Sequence, residues 1–185
     1  DALDRRLGFI LVASLLWTGY VVVRAACDRA ILARWGFRRE GLARSLALLA
    51  PMAAGATVLQ VGAGLLLGDP LWHWHLLPIL ALYTFWGLVQ QFLMVALIAG
   101  NLRRRDDLSE PVIVTVTAVL FAAVHAVSAT LVVAAFALAI VSTVVYFRHR
   151  NLWALGLFHG WFATGLYYLA LGEDPWRRVI AAGPW

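Results

Sequence analysis

Apolar residues run along this chain in six blocks, Leu7–Ala26, Leu46–Leu67, Leu76–Gly100, Pro111–Ser128, Ala129–Phe147 and Leu152–Leu171, with nearly all the charged residues in the gaps. A helix needs roughly 20 apolar residues to cross a bilayer, so the pattern predicts an all-α polytopic membrane bundle of about six transmembrane helices. The fourth and fifth blocks meet at Ser128 and Ala129 with almost no polar linker, which predicts a tight hairpin or a partly re-entrant pair. Pro111 suits a helix start, where its missing N–H costs nothing. Gly68-Asp69-Pro70 and Gly172-Glu173-Asp174-Pro175 read as helix exits. No internal repeat and no low-complexity segment interrupts the pattern, and residues 1–185 read as a single transmembrane domain.

Composition strengthens this picture. Hydrophobic residues make up 63% of the chain and charged residues 14%, against about 45–50% and about 25% in soluble domains. Too few charges remain to coat a water-facing globule, and disorder is excluded because it needs low hydrophobicity. The charges that do occur report orientation. All fifteen basic residues are Arg. Arg24, Arg29, Arg34, Arg38, Arg39, Arg44, Arg103, Arg104, Arg105, Arg148 and Arg150 fall on one side of the predicted topology. Arg5, Arg6, Arg177 and Arg178 fall on the other. The positive-inside tendency then places the eleven in the cytoplasm and both ends of the chain outside, in a bacterial inner (plasma) membrane. The Arg29–Arg44 stretch can equally lie as a surface helix on lipid headgroups without changing the topology. Trp72, Trp74, Trp176 and Trp185 near block ends match an aromatic belt. The net charge of +5 does not point to nucleic acid, because the arginines are spread between apolar runs instead of gathered on one exposed face. The lone Cys27 excludes an internal disulfide framework. The chain opens on Asp1 and not Met, so a short N-terminal piece is expected to precede it, and no signal peptide is expected.

A polar side chain in hydrocarbon is costly unless it faces a partner, which makes each one a functional candidate. Gln90 and Gln91 lie in the third block, His125 in the fourth and His159 in the sixth. At ~1.5 Å of rise per residue, all reach the middle of a ~30 Å core, predicting one polar pocket where three helices converge. The plainer alternative is interhelical glue, worth ~0.6 kcal/mol per hydrogen bond on average. Gln91 points about 100° around the helix from Gln90, so one of the pair can serve packing alone. His73 and His75 alternate with Trp72 and Trp74 at a block edge. An i,i+2 histidine pair can bind a metal from an extended segment, but at this edge the pair is read as interfacial. His149, between Arg148 and Arg150, is read as facing solvent.

The motifs resemble those of the CPBP family, the CAAX proteases and bacteriocin-processing enzymes also called the ABI family. Phe121-Ala-Ala-Val-His125 matches its Phe-x-x-x-His motif, and the run from Arg150 into His159-Gly160 resembles its third region. Trp86-Gly-Leu-Val-Gln90-Gln91 looks like its first motif, with glutamines in place of paired glutamates. The family's Arg position is Val95 and its third-motif Asn position is Ala163. The resemblance is strongest over residues 76–171, in the family's motif order, and implies an intramembrane peptidase fold with Gln90, Gln91, His125 and His159 at the catalytic positions. In the family the glutamates are thought to activate the attacking water. A buried carboxylate can take that proton, whereas an amide can only orient a water. An unperturbed imidazole titrates near ~6.5, so His125 or His159 is the remaining candidate base.

Two functional classes follow. One is a non-proteolytic member of the fold, acting as a membrane scaffold or partner subunit or binding a lipid-like ligand. The other is an active endopeptidase for prenylated or membrane-embedded peptides with non-standard residues. A pigment or haem held by His125 or His159 ranks below both. No cofactor and no metal is expected. The expected partners are membrane lipids, with another membrane protein or a membrane-embedded peptide, and no nucleic acid.

Overall fold

The computed structural model describes residues 16–17, 19–67 and 72–177. Two compact units make up the chain, Asp1–Arg34 and Trp35–Trp185. Among the described residues the structure is helical with no strand. In the first unit residues 19–27 are helical (α1). Asp28 ends that helix, accepting at its carboxylate from the Ala30 N–H and from Arg34. Most of the predicted Leu7–Ala26 span, and the predicted exit at residues 68–70, lie outside the described residues.

A short helix, α2 (Ile31–Trp35), precedes the main bundle. The bundle comprises α3 (Leu42–Leu67), α4 (Leu76–Leu102), α5 (Glu110–Ala123), α6 (Ala129–His149) and α7 (Leu152–Gly165). Helices α3, α4 and α6 are long and apolar enough to cross a membrane. Their outer faces stay apolar and exposed: Val58, Leu59, Leu66, Phe85 and Val133 all point away from the core. In water such surface would be an anomaly; against lipid tails it needs no partner. Thr57, Asn101, Thr115 and Thr117 return their side-chain donors to the carbonyl four residues earlier, which satisfies them inside the helix as hydrocarbon requires.

The expectation for the fourth block needs correction. Helix α5 stops at Ala123 instead of reaching Ser128. Its 14 residues span about 21 Å, short of a ~30 Å core. The cause is local. His125 Nδ1–H donates to the Phe121 carbonyl at 2.7 Å, capping the orphan carbonyls of the last turn as basic side chains near helix C-termini do. Three residues later Ser128, extended at φ −154° and ψ 152°, accepts the Leu131 N–H at 3.2 Å and starts α6. The two helices therefore form the tight hairpin expected from the missing linker, and they pack against each other.

Helices α4 and α7 form the most extensive contact of the bundle. A Cβ on Gly160 would lie 2.6 Å from the Thr84 backbone, and one on Gly156 would lie 3.0 Å from Leu88. The Gly156-x-x-x-Gly160 spacing thus lets two backbones approach as small residues do in membrane helix pairs. Both helices widen into π turns, α4 at Phe92–Ala99 and α7 where Leu166–Ala170 prolongs it.

One end of the bundle is tied by polar contacts among loops. Arg150 terminates α6 in the left-handed region at φ 47°, and Arg38 donates to the carbonyls of His149 and Arg150 at 3.2 Å. Asn151 caps α7 by accepting the Ala154 N–H at 3.1 Å, while its Nδ2 donates to the Arg38 and Glu40 carbonyls. Gly36, at φ 103°, lies so near Arg150 that a Cβ would come within 2.8 Å of its carbonyl oxygen. Arg103 stacks over Phe147 at 4.2 Å and pairs with Glu110 at 3.0 Å. The predicted clustering of Arg38, Arg103, Arg148 and Arg150 at one end is therefore what the fold produces.

Candidate functional site

His159 lies two turns into α7, whose start Asn151 fixes, and Gln91 lies in the last turn of α4 before its π segment. The close α4–α7 packing brings them together. A Cβ on Gly87 would sit 2.7 Å from the His159 ring, so only glycine at that position allows the imidazole to lie flat against α4. Gln91 Nε2 then donates to His159 Nδ1 at 3.2 Å. Gln91 and His159 are both buried, and the Gln91 Oε1 has no hydrogen-bond partner among the described residues.

Phe121 ties the third element in. Its ring centroid lies 4.6 Å from His125 and 5.9 Å from His159, edge-on to the latter at 89°. One buried aromatic side chain thus separates and orients both imidazoles, which is a physical reason for phenylalanine four residues before the histidine. Gln90, His125 and His159 line one cavity of about 170 Å³ with Tyr83, Trp86 and Ala163. The three predicted elements do converge. Gln91 stands behind this surface and reaches the site through His159, so both glutamines of the pair belong to it. His125 enters from the turn beyond α5, and not from within the span.

With the Gln91 amide nitrogen facing it, His159 Nδ1 accepts, and the neutral ring then carries its proton on Nε2 as a donor. His125 donates from Nδ1, so its Nε2 carries the free lone pair. The two rings are therefore chemically complementary, one offering a donor and the other an acceptor. The rest of the cavity wall is apolar or aromatic, with Leu131, Ala134, Leu138, Phe162 and Leu166. Among the described residues no Asp, Glu or Cys lines it, so none of them offers an anionic ligand for zinc there. Val95, expected at the family's arginine position, is buried in the core, and Ala163, expected at the asparagine position, presents only a methyl group to the cavity.

Two groups near the site were absent from the sequence reading. Gln60 of α3 is buried and donates to the Phe162 carbonyl at 2.9 Å, tying α3 to the helix that carries His159. It lies inside an apolar block, and the rule that flagged Gln90 applies to it equally. Gly156 and Gly160 carry a small-residue spacing that signals close helix approach, whereas Gly87 carries no such signal.

No curated protein and no solved structure matches the chain. A match to the type II CAAX prenyl endopeptidase Rce1-like family extends over residues 71–165, which include Gln90, Gln91, His125 and His159. With its helical membrane bundle and its two motif histidines beside one cavity, the chain belongs to that Rce1-like family of CAAX prenyl endopeptidases.

Proposed function

We propose that this chain keeps the fold of an intramembrane CAAX-type peptidase, is impaired as a peptidase, and uses its cavity to hold an apolar ligand with a polar head. That ligand is a lipid-like molecule or a membrane-embedded segment of a partner protein, for which the chain serves as a scaffold subunit. The observation that carries this reading is that Gln90 and Gln91 stand at the glutamate positions, with no carboxylate on the cavity wall among the described residues. A general base contributes typically 10²–10⁴-fold to a hydrolytic rate, and an amide cannot supply it. Gln90, His125 Nε2 and His159 Nε2–H instead offer hydrogen bonds to a polar group, while the apolar wall receives a chain. The arginine-rich end favours a cytoplasmic position by the positive-inside tendency, in keeping with a bacterial inner membrane.

One observation favours the alternative of an active endopeptidase. The bare His125 Nε2 and the His159 Nε2–H form an acceptor–donor pair, which can deprotonate a water and hold the developing oxyanion. The Phe121 carbonyl would orient His125 in place of a carboxylate. The two readings separate on a prenylated or transmembrane peptide offered to wild type, Gln90→Glu, Gln91→Glu and His125→Ala. The expected outcome is no robust cleavage by wild type and a rise of about 10²-fold or more in a glutamate variant. Wild-type turnover of ~1 s⁻¹ or more, abolished by His125→Ala, establishes the alternative and overturns the proposal.

A further inference from the structure

A second histidine cluster lies away from the cavity, where the lead-in to α4 meets the segment after α7. His75 Nδ1–H donates to Asp174 Oδ2 at 2.7 Å across 99 residues of sequence. The Tyr168 hydroxyl donates to the other carboxylate oxygen at 2.6 Å, and the Trp176 N–H donates to that oxygen at 3.1 Å. Arg177 Nε reaches Oδ2 at 3.3 Å from an exposed side chain. The carboxylate is 5% exposed. Burial works to raise Asp174, but the bonds from Tyr168 and His75 prevail and hold it at about 2. The His73 ring packs on His75 with centroids 3.9 Å apart, and His73 Nδ1 accepts the His75 N–H at 3.2 Å.

We propose that His73, His75 and Asp174 form a binding site for a first-row divalent cation, with zinc as the best-matched ion. One ligand atom from each residue lies within 4.8 Å of the other two. Tetrahedral zinc with bonds of 2.0–2.2 Å holds its ligands ~3.4 Å apart, so side-chain rotation of ~1.5 Å closes the set around an ion. Two imidazoles, one carboxylate and a water form an established zinc donor set, and the junction between helix end and headgroups supplies the water. The surroundings fit as well. Ligating carboxylates are themselves hydrogen-bonded in metal sites, as the Tyr168 hydroxyl and Trp176 N–H do here for Asp174.

His73 decides between a cation site and a simple clasp. A hydrogen-bonded tie between the two segments needs only His75 and Asp174. A second imidazole, tilted 54° against the first, adds no hydrogen bond to Asp174, yet it supplies the third ligand that an ion requires. Arg177 is 75% exposed, so its guanidinium can leave Oδ2 when an ion arrives. The ion would pin the start of α4 to the chain beyond α7, the two helices that frame the cavity.

The test uses the full chain without an affinity tag, in detergent micelles, stripped of metal with EDTA and titrated calorimetrically with zinc chloride. One saturable site per chain is expected. His73→Ala and Asp174→Asn each weaken it at least ~10-fold, and the double variant His125→Ala/His159→Ala leaves it intact. His73→Ala removes two ring contacts, with Trp74 and His75, and one hydrogen bond from the His75 N–H, so the chain stays folded, with its far-UV circular dichroism as the check. A second readout is the unfolding temperature, which zinc raises in wild type and raises less at the same concentration in His73→Ala. The proposal is overturned by a lack of saturable binding at one ion per chain. It is equally overturned by zinc affinity that is unchanged in His73→Ala, or by binding that disappears in the His125→Ala/His159→Ala variant.

Discussion

The bundle carries two pairs of histidines, and they are built differently. His125 and His159 flank the Phe121 ring beside the cavity, each imidazole spending one nitrogen on a neutral partner. His73 and His75 sit at a helix end with a carboxylate that three neighbours hydrogen-bond and an arginine approaches. A charged group at the bilayer centre is costly on every scale, whereas at the edge water and backbone donors stabilise it. This chain places Gln91 beside the buried His159 and keeps Asp174 beyond the end of α7.

Variants can break that contrast in order of severity. Gly160→Leu should have the largest effect, because its side chain would enter the Thr84 backbone with no free rotamer to yield. Overpacking typically costs 1–3 kcal/mol and occasionally more, so a loss of about 3 kcal/mol or a failure to accumulate folded protein is expected, read by thermal unfolding in detergent. Gln91→Glu places a carboxylate where the amide stands. A cost of about 2–3 kcal/mol is expected when it is charged, even as it moves the site toward peptidase chemistry. An unchanged unfolding temperature would show that water reaches Gln91, and the contrast between the two histidine pairs would lose its physical basis.

The rim should be more forgiving. Asp174→Asn keeps the shape and removes the charge that His75 and Tyr168 address, with an expected loss of about 1–2 kcal/mol. A loss larger than that of Gln91→Glu would reverse the proposed ranking. The smallest effect belongs to Gln91→Leu. It deletes one interhelical hydrogen bond, worth about 0.6 kcal/mol on average in such bundles, and it also removes the unpartnered Oε1. Stability within ~1 kcal/mol of wild type is expected in chemical denaturation, and a much larger loss would mean that the amide holds the fold together.

Membrane insertion, the helix order and the polar candidates were legible in the sequence because each depends on local chemistry. A run of apolar residues must be helical in lipid, since no water is present to satisfy its backbone, and a polar residue within such a run stands out whatever its neighbours. The α5–α6 hairpin was also legible, from the missing linker at Ser128. The length of α5 was not, because it depends on the His125 side chain taking the Phe121 carbonyl, a choice that composition does not encode. Nor were the π turns at Phe92–Ala99 and Leu166–Ala170, where apolar sequence looks the same as in any other stretch of the bundle.

The sequence by itself determined that this is a helical membrane protein with Gln90, Gln91, His125 and His159 inside its apolar blocks, since hydropathy and residue identity are properties of single positions. Only the tertiary structure decided which polar groups meet. Gly87, Gly156 and Gly160 bring α4 and α7 close enough for Gln91 to reach His159, and Phe121 holds the two imidazoles beside one cavity. The same packing carries Asp174 back to His75 across 99 residues. Such meetings depend on backbone separation and helix rotation, which many distant contacts set together and no local stretch of residues specifies.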